Sequence, residues 1–233
     1  MRLIDEEYTR TPFYGSRKIT ALLRTKYDYS VNRKRIQRLM RLMGISAIYP
    51  SPRTTIRRRG FHKKYPYLLG DITLAYPNHA WGSDITYIRL RRGFIYLVAI
   101  IDLFSRYVIS WRLSNSLDTE FCLLALDDAL RRGPRPLIFN ADQGCQYTSD
   151  DFIGVLDTEG ISLSLASRGR CFDNIIVERL WRSLKYEEVY TNDYETVGDA
   201  VFGIGSYLEF FNNERLHQSL GYKPPSQVFH ASS

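Results

Sequence analysis

Apolar residues recur with helical spacing from residue 15 to residue 44, lose all period for about thirty residues, and then return in β-rich runs. Within residues 15–27, Ile19, Leu22 and Leu23 fall at i, i+3 and i+4 behind Gly15-Ser16, which predicts a short amphipathic helix capped by Ser16. Ile36, Leu39, Met40 and Met43 repeat the pattern and predict a second helix, capped by Ser30 and ended by Gly44. The other face of this helix carries Arg33, Lys34, Gln37, Arg38 and Arg41. Two short helices with a tight connection, the second studded with Arg, Lys and Gln, read as a helix-turn-helix whose second helix enters a major groove.

Between Ile45 and Asn78 the prolines Pro50, Pro52, Pro66 and Pro77 interrupt the chain, and Arg57 to Arg59 with Lys63-Lys64 add charge. That stretch reads as a basic linker, either following a DNA backbone or simply solvated. Three β-rich runs follow at 80–90, 93–102 and 106–113, then a helix at 119–131, a strand at 136–141, a helix at 149–159 and a strand at 161–166. Helices at 173–189 and 195–213 close the pattern. This order predicts an α/β fold with a five-stranded mixed sheet, preceded by a small helical segment. The expected division is a helix-turn-helix leader at 1–46, a basic linker at 47–78, an α/β core at 79–190 and a C-terminal helical extension at 191–233.

Charge sharpens that division. Residues 1–64 hold 17 Lys and Arg against 4 Asp and Glu, whereas the remaining 169 residues hold 15 against 21. A dense positive segment on a mildly acidic body fits a polyanion-binding arm joined to an enzyme core, because phosphate neutralisation drives non-specific DNA affinity. Nothing in the sequence suggests a membrane span or a signal peptide, so a cytoplasmic location is expected. Cys122, Cys145 and Cys171 are odd in number and without a CxxC pair, which argues for free thiols over a disulfide framework or a zinc site.

Candidate chemistry lies in three acids. Asp84 sits in the first strand, Asp142 ends the fourth, and Glu178 lies one turn into the helix beginning near Asp173 and Asn174. In that helix Val177, Leu180, Trp181 and Leu184 should face the core, leaving Glu178, Arg182 and Lys185 as the adjoining polar stripe. Carboxylates suit hard cations, and two ions about 3.5 to 4 Å apart can clamp the attacking and leaving oxygens of a phosphoryl transfer. Spacing alone leaves the acids open between strand-end caps and metal ligands.

Thirty-five residues separate Asp142 from Glu178, and the order Asp84, Asp142, Glu178 resembles the DDE signature of retroviral integrases and bacterial transposases, which share an RNase H-like fold. The blocks at 81–88, 140–149, 169–174, 178–185 and 211–225 resemble the OrfB transposases of the insertion sequence family typified by insertion sequence 3. Residues 14–18 and 32–44 resemble the helix-turn-helix leader of that family.

The resemblance implies Asp84, Asp142 and Glu178 as ligands of two Mg²⁺ or Mn²⁺ ions and Lys185 as a contact to the transposon end. The implied reaction is DNA cleavage at the element's ends followed by strand transfer, with double-stranded DNA as partner and a homo-oligomer on it. A decayed copy acting as a DNA-binding repressor and a metal nuclease of the same fold are the competing readings.

Asp102 is read as a turn residue holding Ser105 and Arg106. Gln143 and Gly144 are read as support for the loop after Asp142, and Asn174 as a helix cap near DNA. Asn140 stands where many relatives have His, and the role of His217 stays open. Relatives often carry more sequence upstream, made as a fusion with a preceding reading frame, so a truncated copy and an upstream-frame partner are expected.

Overall fold

The computed structural model describes residues 1–47, 66–70, 72–165 and 174–231. Most of the expected basic linker, with Pro50, Pro52, Arg57 to Arg59 and Lys63-Lys64, and also Cys171 and Asp173, lie outside the described residues. The chain forms two units, Met1–Thr55 with Arg215–Pro224, and Ile56–Glu214 with Pro225–Ser233.

The first unit contains α1 (Arg2–Arg10), α2 (Ser16–Tyr27) and α3 (Arg33–Leu42). On these helices Ile4, Ile19, Leu23, Ile36 and Met40 are buried and Leu22, Leu39 and Met43 half-buried, so the helical spacing seen at 15–44 does mark the inward faces of α2 and α3. Two capping expectations change. Gly15 is the N-cap of α2 and Ser16 its first residue, while α3 is capped by Asn32, whose side chain accepts the Lys34 N–H at 2.9 Å, and not by Ser30. Asn is as strong a cap as Ser, and it sits at the register the buried Ile36 and Met40 require. Gly44, at φ +68°, ends α3 as expected, and the Ile45 N–H reaches back to the Met40 carbonyl. A late segment completes the unit: the Leu216 N–H donates to the Tyr14 hydroxyl at 3.0 Å, and Tyr14 is almost fully buried.

The second unit is built on five strands: β1 (Ala80–Arg89), β2 (Phe94–Asp102), β3 (Val108–Ser114), β4 (Ile138–Ala141) and β5 (Ser162–Leu165). They stand in the order β3-β2-β1-β4-β5, antiparallel across β1–β2–β3 and parallel across β1–β4–β5. The sheet is therefore mixed, as the element order predicted. Its one face packs Ala80, Ile88, Leu97 and Ile101 against α6 (Ile175–Leu184) and α7 (Val197–Asn213). The other packs Trp81, Val98 and Ile100 against α4 (Glu120–Arg131) and α5 (Asp150–Thr158), and α8 (Pro225–Phe229) follows α7. Ser149 caps α5 through the Phe152 N–H, the helix start expected at that serine.

The helix expected at 173–189 is shorter and divided. After Leu184 the chain widens into a π-helical turn, Lys185–Val189, in which the Tyr190 N–H reaches the Lys185 carbonyl five residues back. Hydrogen bonds from Tyr194 to Glu188 and from Tyr207 to Glu187, both 2.7 Å, hold that turn to α7 and its approach. Long-range partners of this kind leave no trace in the periodicity of residues 173–189.

Candidate active site

Strand register brings the first two carboxylates to one level. In the parallel β1–β4 pairing Gly82 faces Asn140, so a step of two residues along each strand leads to Asp84 and Asp142. Neighbouring strands run about 4.8 Å apart, and ligands in sheets of this kind gather beyond the carboxyl ends of parallel strands. β4 stops at Ala141, which leaves Asp142 exposed at its tip. Asp84 remains inside β1, largely covered, on the face opposite Ile85 and Tyr87.

The third carboxylate arrives on α6. Val177, Leu180, Trp181 and Leu184 are buried, and Glu178 and Arg182 are exposed beside them, the stripe read from the sequence. Close packing of α6 on β1 depends on Gly82: a Cβ there would stand 2.6 Å from Leu103 Cδ2 and 3.2 Å from Val177 Cγ2. The same helix contributes a direct link, because Trp181 Nε1 donates to Asp84 Oδ2 at 2.9 Å. One turn of α6 thus carries both Glu178 and the group that orients Asp84.

The loop after Asp142 is tied at two points. Gly144 donates its N–H to Asp142 Oδ1 at 3.0 Å, and a Cβ on Gly144 would meet that same oxygen at 2.9 Å. Farther on, the buried Tyr147 hydroxyl lies 2.9 Å from Ser83 Oγ, and Ser83 also donates to the Ala99 carbonyl. Since Ser83 is the neighbour of Asp84, this contact pins the Asp142 loop to the strand that bears Asp84. Burial pushes the Tyr147 phenol far up, so it serves as a neutral hydrogen-bonding group.

The charges of Asp142 and Glu178 both bear on Asp84. The Asp84 carboxyl is pushed up to about 7, first by burial and then by the negative charge of Asp142, with a smaller contribution from Glu178; the Trp181 hydrogen bond works against the rise. Among the described residues no three His, Cys, Asp or Glu side chains converge closely enough to hold an ion as they stand. The donor set nevertheless suits a hard divalent cation: oxygen donors only, mutually repelling, with one Asp84 oxygen already committed to the indole.

The other sequence-predicted residues have varied surroundings, each within its own unit. Lys185, at the start of the π-helical turn, sets its Nζ 4.4 Å from the centre of the Tyr87 ring. Gln143 is half-buried in the loop, and Asn174 occupies the N-cap position of α6 without a side-chain capping bond; its Oδ1 is buried with no partner among the described residues. Asp102 does hold its turn, accepting the Ser105 N–H and hydroxyl. Asn140 is fully buried and accepts from the Ser164 hydroxyl at 3.0 Å, and Ser164 in turn accepts the Leu68 N–H. It therefore joins β4, β5 and the approach to β1. In the first unit Arg33, Lys34, Gln37, Arg38 and Arg41 are all exposed on α3, while His217 packs in the late segment near Arg215. Trp181, Gly82, Ser83 and Tyr147 are the site residues that sequence reasoning missed.

Comparison with known proteins bears on the fold and the family. Residues 75–171 match an integrase core domain, residues 159–225 a second integrase core model, and residues 1–53 an HTH-like domain. The chain is 33% identical to the transposase for insertion sequence element IS904 of Lactococcus lactis, over 91% of this chain and 85% of that protein. It is 33% identical to the transposase InsF for insertion sequence IS3A of Escherichia coli, over 92% and 76% respectively. Among solved structures, the HTLV-2 integrase catalytic core domain in complex with magnesium covers 67% of the chain, and 98% of its own, with a TM-score of 0.52 at 20% identity. The simian T-cell lymphotropic virus intasome structure covers 97% of the chain and 74% of its own, with a TM-score of 0.58 at 18% identity. The fold is thus the RNase H-like integrase fold, and the chain belongs to the transposases of the insertion sequence family typified by insertion sequence 3.

Proposed function

We propose that the chain is the catalytic protein of an insertion sequence, cutting DNA at the ends of its element and joining the freed 3′-hydroxyl to target DNA. The observation that carries this reading is geometric: strand register sets Asp84 within β1 level with Asp142 at the tip of β4, and α6, which bears Glu178, reaches Asp84 through the Trp181 indole. Asp84, Asp142 and Glu178 would hold two divalent cations, Mg²⁺ or Mn²⁺, which when bound activate the attacking oxygen and stabilise the leaving one. The protein's own part is positioning. Trp181 fixes the Asp84 carboxylate, Gly144 fixes that of Asp142, and Lys185 and Arg182 lie on the same helical face to receive DNA phosphates. Gln143 and Asn174 line the approach without touching reacting atoms.

Division of labour runs along the chain in this reading. The helix-turn-helix leader, residues 1–46, reads DNA through Arg33, Lys34, Gln37, Arg38 and Arg41, and the core, residues 79–190, performs the chemistry, with 47–78 joining them and 191–233 as a C-terminal extension. Double-stranded DNA of the element's ends and of the target is the substrate, an oligomer assembles on it, and an upstream-frame protein supplies further DNA recognition.

A strand-transfer assay with duplexes carrying the element's end and either Mg²⁺ or Mn²⁺ tests the reading. Joined products that vanish with Asp142→Asn support it. Cleavage without joining points to a nuclease, and a shifted duplex without chemistry points to a DNA-binding repressor.

A further inference from the structure

Strands β1 and β2 outrun the helix that covers them. On the α4 side of the sheet Val98 is buried, and Ile85 and Tyr96 are half-buried at the margin of that core. Beyond the margin Tyr87 and Phe94 stand 62% and 56% exposed. Register puts them on one face, since Tyr87 lies opposite Tyr96 and Arg89 opposite Phe94. The rings meet edge to face, Tyr87 with Phe94 at 6.4 Å between centroids and Phe94 with Tyr96 at 5.4 Å, so they form one continuous surface.

The charge around this surface has one sign. From Ile85 to Arg89, and at the strand residues opposite them, the face carries no carboxylate; its polar members are Arg89, Ser114 opposite Tyr96, and Arg112, which is paired with Asp128 of α4. Lys185 adds a further cation from the helix on the other face of the sheet, with its Nζ 4.4 Å from the centre of the Tyr87 ring. The way round is open because β4 pairs with β1 only over Ala80–Gly82, and β1 has no strand neighbour on that side from Ser83 onward among the described residues.

We infer that Tyr87 and Phe94 form a stacking platform for the bases of a DNA strand unpaired beside the cut, with Lys185 and Arg89 meeting its phosphates. The inference rests on the reading of this core as DNA-processing, but not on its metal chemistry. Exposed aromatic planes interleaved with cations suit a single strand, because every base offers a π-face and every link a phosphate. Bases within a duplex are stacked on one another, so only an unpaired base reaches such rings. A second copy of the chain fits the face poorly: a self-complementary contact would bring Lys185 and Arg89 against the same cations of the partner. Tyr87 lies three residues beyond Asp84, about 10 Å along the strand. A strand held at the carboxylates therefore reaches the platform within about three stacked nucleotides.

Binding of the full chain, with EDTA present, to a blunt fluorescent duplex and to the same duplex with a short polythymidine tail tests the platform. In the wild type the tail should tighten binding by about five- to a hundredfold for each base that stacks. Both rings are more than half exposed, so truncating them leaves the fold intact. Tyr87→Ala and Phe94→Ala should each lose the tail's gain and bind the blunt duplex as before, while Tyr87→Phe retains it. A fluorescent adenine analogue placed in the tail should be quenched by the wild type and not by the alanine variants. A tail gain equal in the wild type and both alanine variants overturns the inference. An intact gain together with a lower light-scattering mass of the DNA-free alanine variants also overturns it, by assigning the face to contact between copies. Because EDTA removes the metal, a failed strand-transfer assay leaves this result standing, and loss of the platform leaves the active-site reading standing.

Discussion

Trp181 holds Asp84: its indole N–H lies 2.9 Å from Oδ2, and the ring is buried between α6 and the sheet. Because Glu178 sits one turn earlier on α6, a single helix sets the geometry of two of the three proposed ligands. Trp181→Phe keeps the apolar packing and removes only the donor. Partners that orient a metal ligand contribute about ten- to a hundredfold to affinity or activity. The variant should therefore need about ten- to a hundredfold more Mn²⁺ for half-maximal cleavage, at near-normal duplex binding in EDTA. An unchanged Mn²⁺ dependence would show that the indole has only a packing role.

The raised Asp84 carboxyl makes the metal-free protein sensitive to pH. Its folded-state pKa of about 7 lies above the ordinary value of 3.8, so the folded chain binds the proton more tightly than the unfolded one. Stability from this group is complete in acid below the unfolded value, falls as pH rises through the interval, and is lost above about 7. The full loss is about 4 kcal/mol by linkage. Asp84→Asn removes the titration. At pH 8 in EDTA the variant should melt higher than wild type, by on the order of 10 °C, and the two curves should converge near pH 4. Added Mg²⁺ should raise the melting temperature of the wild type and leave that of the variant unmoved. A pH-independent difference between the two proteins would refute this account.

The first unit has the opposite pH response. Burial would push the Glu7 carboxyl up, but hydrogen bonds from Lys26 and Tyr27, both 2.6 Å, together with the Lys26 charge, bring it below its ordinary value. Its contribution is thus present above the unfolded value of 4.5 and lost as pH falls through the lower, folded one. Glu7→Gln should destabilise the unit by about 1–2 kcal/mol at neutral pH. In acid the gap between variant and wild type should close. Denaturant unfolding followed by a probe on α1 at two pH values measures this, and a gap of equal size at both would exclude the ion pair as its source.

What could be read from the sequence follows from the range of each interaction. Strands β1 and β2 were legible because Ile, Val, Tyr and Thr run together there, and α3 because Ile36 and Met40 keep helical spacing. The placement of Val177, Leu180, Trp181 and Leu184 in the core was legible for the same reason, yet the polar partner of Trp181 was not, since Asp84 lies 97 residues away. Tyr147 and Ser83 are 64 residues apart, and Tyr14 and Leu216 are 202 apart; such contacts are set by register and packing, which local pattern does not encode. Helix α1 escaped notice because its buried positions are only Ile4 and Glu7, and an inward-facing Glu reads as a surface residue.

Gly144 offers the sharpest separation of positioning from folding. The residue gives its N–H to Asp142 Oδ1 and leaves no room for a methyl group beside that oxygen. In Gly144→Ala the new Cβ would lie 2.9 Å from Oδ1, so the carboxylate must turn away and lose the hydrogen bond. The loop is at the surface and Asp142 is exposed, which limits the cost in stability to about 1 kcal/mol or less. Misplacing a reacting group by about 1 Å can cost a hundredfold in rate. Cleavage and joining by Gly144→Ala should fall by about ten- to a hundredfold, while the melting temperature and duplex binding in EDTA stay near wild type. Gly82→Ala should behave differently: its Cβ would press into Leu103 and Val177 beneath α6, and overpacking of this kind costs about 1–3 kcal/mol. If Gly144→Ala cut and joined DNA at the wild-type rate, Asp142 would not be held by this turn in the reacting complex, and the loop's part in the site would have to be discarded.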